Sequence, residues 1–322
     1  MEALAEKGSI PPQATFPDAT WTRILSDKQG RRLPQAIAHR GYKAKYPENT
    51  MGAFTGAVNV GAHAIETDIH LSKDGVVVLS HDKDLKRCFG RPDKIIERDW
   101  KYLSQIQTLR EPRQHMPRLL DLLTYLASPG LEEIWLLLDI KLDNDADDVM
   151  RLIAKTIQSV RPSKAWNKRV VLGIWAAKYL PLCAEYLPGF PISHIGFSTL
   201  YADQFFKVEN VSFNMLQAVL MGPCGGRFLR RAEAAQRPVY AWTVNEEKRM
   251  RWCIEKKLDG VITDDPKLFL DVCKDHSEFA RPESFGLGIW LDVLRINFFA
   301  MVYGLLFMWK YRDFRVEGRY IC

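Results

Sequence analysis

Glu66 and Asp68 lie two residues apart in the apolar run AIETDIHL (64–71), and Asp139 and Lys141 are spaced the same way in IWLLLDIK (134–141). Residues i and i+2 of a strand project from one face, so each pair would present its charges together. Glu66, Asp68 and Asp139 form an all-oxygen donor set with no Cys or His among them, which suits one hard divalent cation, Mg²⁺ or Ca²⁺. Either pair by itself would equally fit a salt bridge on a rim. Two histidines shift that balance. His39 closes the run AIAH and is followed by Arg40 and Gly41; His81 closes VVVLSH and is followed by Asp82. An imidazole with its ordinary pKa of about 6.5 takes or gives a proton near neutrality. Cleaving a phosphate diester needs a base for the nucleophile and an acid for the departing oxygen. It also needs positive charge on the phosphoryl oxygens, which a hard cation, Arg40 and Lys141 would provide.

These residues need elements that bring them to one place. The segments 36–39, 64–71, 76–81, 134–141, 170–175, 193–198, 216–220, 239–244 and 260–263 read as short strands. Between them, 51–60, 117–127, 146–160, 177–187, 225–236 and 246–257 read as amphipathic helices. Strand–helix alternation over about 240 residues predicts an α/β fold with a parallel sheet, a TIM (β/α)8 barrel of ordinary size. A doubly wound open sheet shares that pattern. In a parallel barrel the C-terminal strand ends form the working face, and the acid pairs and histidines are expected to close their strands there. The chain divides into an irregular N-terminal extension (1–33), the barrel (34–280) and an apolar, basic tail (281–322).

The order of the motifs then makes a family visible. His39-Arg40-Gly41, Pro47-Glu48-Asn49-Thr50, Glu66-x-Asp68, Asp74-Gly75, His81-Asp82, Asp139-x-Lys141, Trp242-Thr243-Val244-Asn245 and Thr263-Asp264 resemble the pattern of glycerophosphodiester phosphodiesterases. The resemblance implies a TIM barrel, a divalent cation held by Glu66, Asp68 and Asp139, and catalysis by His39 and His81. The third ligand of that family is more often Glu, so the shorter Asp139 would bond the ion directly or through a bridging water. Arg40, Lys141 and Trp242 are the expected substrate contacts, although Trp242 also reads as a core residue. Asn49 or Thr50 fits the N-cap of helix 51–60, and Asp264 or Asp265 a cap ahead of Pro266.

Within the family, His39-Arg40-x-x-Lys43-Ala44-x-Tyr46-Pro47-Glu48-Asn49-Thr50, the Asp in the third ligand slot, Leu138-Asp139-Ile140-Lys141 and the apolar tail are most similar to fungal phosphatidylglycerol phospholipase C. That narrower resemblance implies hydrolysis of phosphatidylglycerol to diacylglycerol and glycerol phosphate. Soluble deacylated glycerophosphodiesters are the alternative substrates. A non-catalytic lipid-binding barrel is the reading from another class, and intact His39, His81, Glu66 and Asp68 speak against it.

The tail reads GLGIWLDVLRINFFAMVYGLLFMW over 286–309, followed by the basic KYRDFRVEGR. Its uncharged part, Ile296–Trp309, would make about 21 Å of helix against a hydrocarbon core of about 30 Å. Spanning would immerse Asp292 and Arg295, at about 2.5–3.5 kcal/mol each near the centre. The pattern therefore predicts a helix lying in, or dipping into, a membrane surface, with basic residues on anionic headgroups. A core helix or an oligomer contact is the plainer reading.

The net charge of +6 suits an anionic substrate or surface, and no aromatic-interleaved basic stripe suggests nucleic acid. Six cysteines without a C-x-x-C pair and an N-terminus without an apolar h-region predict an intracellular, non-secreted protein. Its expected partners are a phospholipid substrate and a membrane surface, that of the endoplasmic reticulum, mitochondrion or lipid droplet; the oligomeric state is left open.

Overall fold

Runs such as WLLLDI and VVLGI are apolar at nearly every position rather than at alternate ones, as strands covered on both faces must be. The structure is a computed structural model that describes residues 15–277 and 284–311, with the backbone of 315–316 and 319–320. Its main strands are β1 (Gln35–His39), β2 (Ala64–Leu71), β3 (Val77–Leu79), β4 (Trp135–Ile140), β5 (Val170–Ile174), β6 (Ile192–Gly196), β7 (Ser212–Leu216), β8 (Val239–Trp242) and β9 (Gly260–Thr263). All but β3 pair in parallel, and β1 bonds to both β2 and β9, which closes an eight-stranded barrel. The expected (β/α)8 architecture is therefore present, and the open-sheet alternative falls.

Helices α1 (Met51–Asn59), α2 (Leu119–Leu126), α3 (Ala146–Ser159), α4 (Leu180–Tyr186), α5 (Gln217–Met221), α6 (Gly225–Ala234), α7 (Glu247–Glu255) and α8 (Pro266–Lys274) cover the outside. Most of the apolar core lies between barrel and helices, where Leu136, Leu138, Val170 and Leu172 join Leu122, Leu126, Val149 and Ile153. Inside the barrel a smaller layer holds Ile37, Ala64, Leu137, Val171, Tyr240 and Ile262. Strand residues alternate between faces. The next inward positions toward the C-terminal ends are therefore His39, Glu66, Asp68, Asp139 and Trp242, and the apolar filling gives way there to a polar mouth. At the opposite end, residues 15–33 carry a short 3-10 turn (Thr20–Thr22) and a hairpin of Leu25–Ser26 with Arg32–Leu33. Trp21 packs edge-on against Trp135, 5.6 Å between ring centres, and so covers the barrel floor.

Two expected strands need correction. The segment 76–81 is not a barrel strand: β3 runs antiparallel to the end of β2, with Leu79 opposite Ile69 and Val77 opposite Leu71. A parallel partner needs a crossover of about a dozen residues or more, and only the turn between Leu71 and Val77 is available. His81 therefore reaches the mouth from a hairpin, and Glu66 and Asp68 sit within β2 rather than closing it. The segment 216–220 also shifts. The strand is SFNML (212–216), whose inward Ser212 and Asn214 interrupt the apolar pattern, and LQAVL continues mostly as α5.

The tail forms one continuous helix, α9 (Leu287–Lys310), laid against segments that follow β6 and β7. Asn297 Nδ2 donates to the Ala218 carbonyl at 2.7 Å, and Phe307 packs edge-on against Phe197 and Tyr201 at 5.8 and 5.0 Å between centres. Of its 24 residues only Val293, Ala300 and Gly304 are buried. Twelve large hydrophobic side chains, among them Trp290, Phe298, Phe299, Leu306 and Trp309, stand exposed on this one helix. A core helix does not leave such a surface, and a contiguous apolar patch of this size marks a docking or membrane face.

Candidate active site

The register of three strands assembles the acids. His39 of β1 lies opposite Glu66 of β2, and Asp68 lies opposite Asp139 of β4. One carboxylate oxygen from each of Glu66, Asp68 and Asp139 falls within 4.8 Å of the others, and all three residues are buried. Oxygens so spaced can share an ion with bonds of about 2.3–2.6 Å, so Asp139 reaches the cluster despite its missing methylene.

Lys141 Nζ stands 2.7 Å from Asp68 Oδ1 and 2.6 Å from Asp139 Oδ2, and Arg40 Nε is 3.3 Å from Asp68 Oδ2. Asn49 Nδ2 donates to Asp68 Oδ2 at 2.7 Å, and Trp175 Nε1 to Asp139 Oδ1 at 2.7 Å. Burial by itself would raise the Asp68 carboxyl, but the charges of Lys141 and Arg40 hold it well below the usual range. Glu66 goes the other way: burial, together with the charges of Asp68 and Asp139, lifts it well above the ordinary value. Three acids face two fixed cations, and the deficit of positive charge appears at Glu66. A hard divalent cation is the group that would remove it, so the donor set fits the ion that the motifs implied.

Each histidine is held by an aspartate. His39 Nδ1 lies 2.6 Å from Asp264 Oδ1, and Asp264 Oδ2 also accepts from Lys43 Nζ at 3.3 Å and Asn245 Nδ2 at 3.0 Å. Burial tends to raise the Asp264 carboxyl, but its bond with His39 and the charge of Lys43 bring it down to about 2. His81 Nδ1 lies 2.8 Å from Asp82 Oδ1. Both imidazoles are pulled below their ordinary pKa, chiefly by burial, which is only partly offset by Asp264 at His39 and by Asp68 and then Asp82 at His81. An ionised aspartate on Nδ1 fixes the tautomer with the proton on Nδ1 and leaves Nε2 as the free nitrogen.

The backbone of two motifs shapes the mouth. Arg40 and Asn49 take left-handed conformations at φ 57° and 53°, and Gly41 follows at φ 80°. A side chain at Gly41 would lie 2.6 Å from the Ala53 backbone, so only glycine lets the turn pack on α1. Thr50, not Asn49, caps α1, accepting from Ala53 N at 3.2 Å, and Asp265, not Asp264, caps α8, accepting from Leu268 N at 2.9 Å. Asn49 and Asp264 are thereby free for the site. Glu48 binds Arg40 Nη1 at 2.8 Å and Arg87 through two bonds of 2.8 and 2.7 Å. Arg87 Nε also holds Asp82 Oδ2 at 2.7 Å, which links the two halves of the mouth.

All eight residues singled out by sequence lie at this end of the barrel. Trp242 is half-buried, its Nε1 bonded to the Asn214 carbonyl at 3.0 Å and its ring edge-on to Trp175 at 5.8 Å. Sequence reasoning assigned no role to Asp82, Asn245, Arg87 or Trp175. The first two stood inside recognised motifs; Arg87 and Trp175 carried no local signal. His70 is a bracing residue, its Nδ1 2.8 Å from the Ser80 carbonyl and its Nε2 3.2 Å from Asp143.

A profile of the Glycerophosphoryl diester phosphodiesterase family matches residues 39–268. Probable glycerophosphodiester phosphodiesterase 2 of Mycobacterium tuberculosis is 30% identical over 266 residues, covering 78% of this chain and 94% of that protein. Human Lysophospholipase D GDPD1 is 48% identical over 69 residues, 21% of this chain and 22% of its own length. A phosphodiesterase of Oleispira antarctica, solved with the product sn-glycerol-3-phosphate, superposes with a TM-score of 0.64 at 19% identity over 76% of this chain and 98% of that one.

Proposed function

The chain belongs to the glycerophosphoryl diester phosphodiesterase family and is a phosphoric diester hydrolase; from that premise we propose that it hydrolyses phosphatidylglycerol at a membrane surface to diacylglycerol and glycerol phosphate. The observation that carries this reading is the docking of α9, through Asn297 and Phe307, on the segments after β6 and β7 at the barrel end that holds the carboxylates and histidines. A lipid headgroup can enter the mouth while its acyl chains stay in the bilayer.

His39, with Nδ1–H on Asp264 and a lone pair on Nε2, takes a proton from the attacking hydroxyl. His81 acts as the imidazolium, its Nδ1–H on Asp82, gives its Nε2 proton to the departing diacylglycerol oxygen, and recovers one from the water that opens the cyclic phosphate. Lys141 and Arg40 lie beside the phosphoryl oxygens, and Trp242 forms the wall for the headgroup glycerol. A divalent cation held by Glu66, Asp68 and Asp139 would add Lewis-acid charge at those oxygens. The headgroup of phosphatidylglycerol carries its own hydroxyl on the carbon next to the esterified one, where attack gains a large effective molarity. That oxygen bonds to phosphorus as the bond to diacylglycerol breaks, and water then opens the cyclic glycerol phosphate.

With Mg²⁺ or Ca²⁺, phosphatidylglycerol vesicles are expected to yield diacylglycerol and glycerol phosphate, identified by mass spectrometry. Phosphatidylethanolamine, which has an amine in place of the hydroxyl, is expected to react about 10²-fold more slowly or worse. Equal rates on the two lipids would remove internal attack, and phosphatidate as product would place the cleaved bond on the other side of phosphorus.

α9 is held to the barrel from Val293 to Phe307. It could not thread a bilayer without drawing the segments after β6 and β7 in with it, which favours a helix lying in the interface, outer face down. Removal of residues 285–322 is expected to release the protein from vesicles and to lower turnover of bilayer lipid at least tenfold. Turnover of a deacylated diester would continue, and melting would drop only by the burial of Val293 and its neighbours, about 1.5–3 kcal/mol for one such side chain. A truncated protein that aggregates, or melts far lower, would make α9 part of the core. The soluble-diester reading rests on the Mycobacterium tuberculosis relative named above, and it predicts that the truncation leaves all turnover intact.

A further inference from the structure

We propose that the groove between α9 and the strand-end segments seats an acyl chain of the lipid substrate, an inference that rests on the lipid reading above. The groove has a volume of roughly 620 Å³, within the usual range of ligand sites, and Phe197, Leu216, Ile296, Phe299, Tyr303 and Phe307 line it. Its inner end adjoins the reacting site through two tryptophans. Trp175, bonded to Asp139, meets Phe197 at 6.4 Å between ring centres. Trp242 lies opposite Leu216 in the β8–β7 register. Both aromatic walls of the mouth thus continue into the groove, and a chain leaving the departing glyceryl oxygen passes from one apolar surface to the next without crossing water.

The lining also selects the occupant. Apart from the Tyr303 hydroxyl it offers polar groups only at its edges, in Arg295 and Lys310. A peptide laid there would leave backbone donors and acceptors unpaired, at a cost that a saturated chain does not incur. Arg295 is paired with Asp292 at 3.2 Å, so Lys310 is the cation at this groove that suits the anionic headgroups surrounding a lipid drawn partly out of the bilayer.

The test uses the full chain in phosphatidylcholine nanodiscs and monomeric lysophosphatidylglycerols with acyl chains of four to ten carbons. Glycerophosphoglycerol serves as the deacylated control. For the wild type, kcat/KM is expected to rise with each added methylene, by up to about fourfold. Leu306 also lines the groove, and the Ile296→Trp, Leu306→Trp double variant fills it while keeping α9 apolar. It is expected to flatten that rise and to lose at least tenfold on the longest chain, with turnover of the deacylated control, which never reaches the groove, unchanged. A variant that keeps the wild-type slope overturns the groove as the seat. Equal loss on the control also overturns it, since α9 would then be shaping the mouth. A wild type that turns over glycerophosphoglycerol but no acylated substrate overturns the lipid reading itself, and the groove with it.

Discussion

His39→Ala is expected to lower turnover about 10²–10⁴-fold, the usual range for loss of one acid–base group, and His81→Ala to do the same. Both side chains stand at the mouth rather than in the packed layers, so circular dichroism and melting should stay near wild type. The pH profile separates a base from a bystander. Burial pulls the His39 imidazole below its ordinary pKa, against the opposing pull of Asp264. Its neutral form therefore persists below about pH 6.5, and the acid limb of kcat/KM should fall below that value. Asp264→Asn removes the carboxylate that raises the pKa, so the limb should move to still lower pH. That variant should lose less than His39→Ala, since Asp264 acts through the histidine. Near-normal rates in His81→Ala would end the two-histidine mechanism, and an unmoved acid limb in Asp264→Asn would remove His39 as the group that titrates.

Removal of the divalent cation should abolish activity, with Mg²⁺ or Ca²⁺ restoring it; rescue by Zn²⁺ alone would contradict an all-oxygen site. Glu66 gives this prediction a second readout. In the ion-free protein its carboxyl is raised well above the ordinary value by burial and by Asp68 and Asp139. The folded state thus binds more protons than the unfolded one as pH rises above the unfolded pKa of about 4.3, and stability falls with pH until the folded value is passed. Glu66→Gln is neutral and nearly the same shape, so it should remove that fall while abolishing activity. Ion at a hundred times Kd should stabilise the wild type by about 2.7 kcal/mol, a melting shift that Glu66→Gln should lack. A variant that keeps both the shift and the activity would show that Glu66 holds no ion.

Much of this was legible in the chain before folding. Every barrel strand except β7 overlapped an apolar run recognisable by composition, and all eight chosen site residues come to one barrel end. The failures have physical causes. VVVLSH reads as another strand of the series, but its short link to β2 permits only an antiparallel partner. SFNML hides its strand because two inward positions are polar. Asn49 beside Thr50, and Asp264 beside Asp265, are alike in cap propensity; only the position of α1 and α8 decides which caps and which enters the site.

What the sequence determined by itself is chemistry and local order. It set the donor types, the two-residue spacing that turns Glu66 and Asp68 to one face, the glycine at 41, and an apolar tail long enough for a helix. Tertiary structure decided everything that depends on neighbours distant in the chain. The register that sets Asp68 against Asp139, the contacts of Arg87 with Glu48 and of Trp175 with Asp139, and the docking of α9 beside the mouth all join residues tens to hundreds of positions apart. Ionisation belongs with them. Glu66 and Asp68 are two residues apart, yet their carboxyls move in opposite directions: burial acts on both, but Lys141 and Arg40 pair directly with Asp68, while at Glu66 their weaker pull is outweighed by burial and the charges of Asp68 and Asp139.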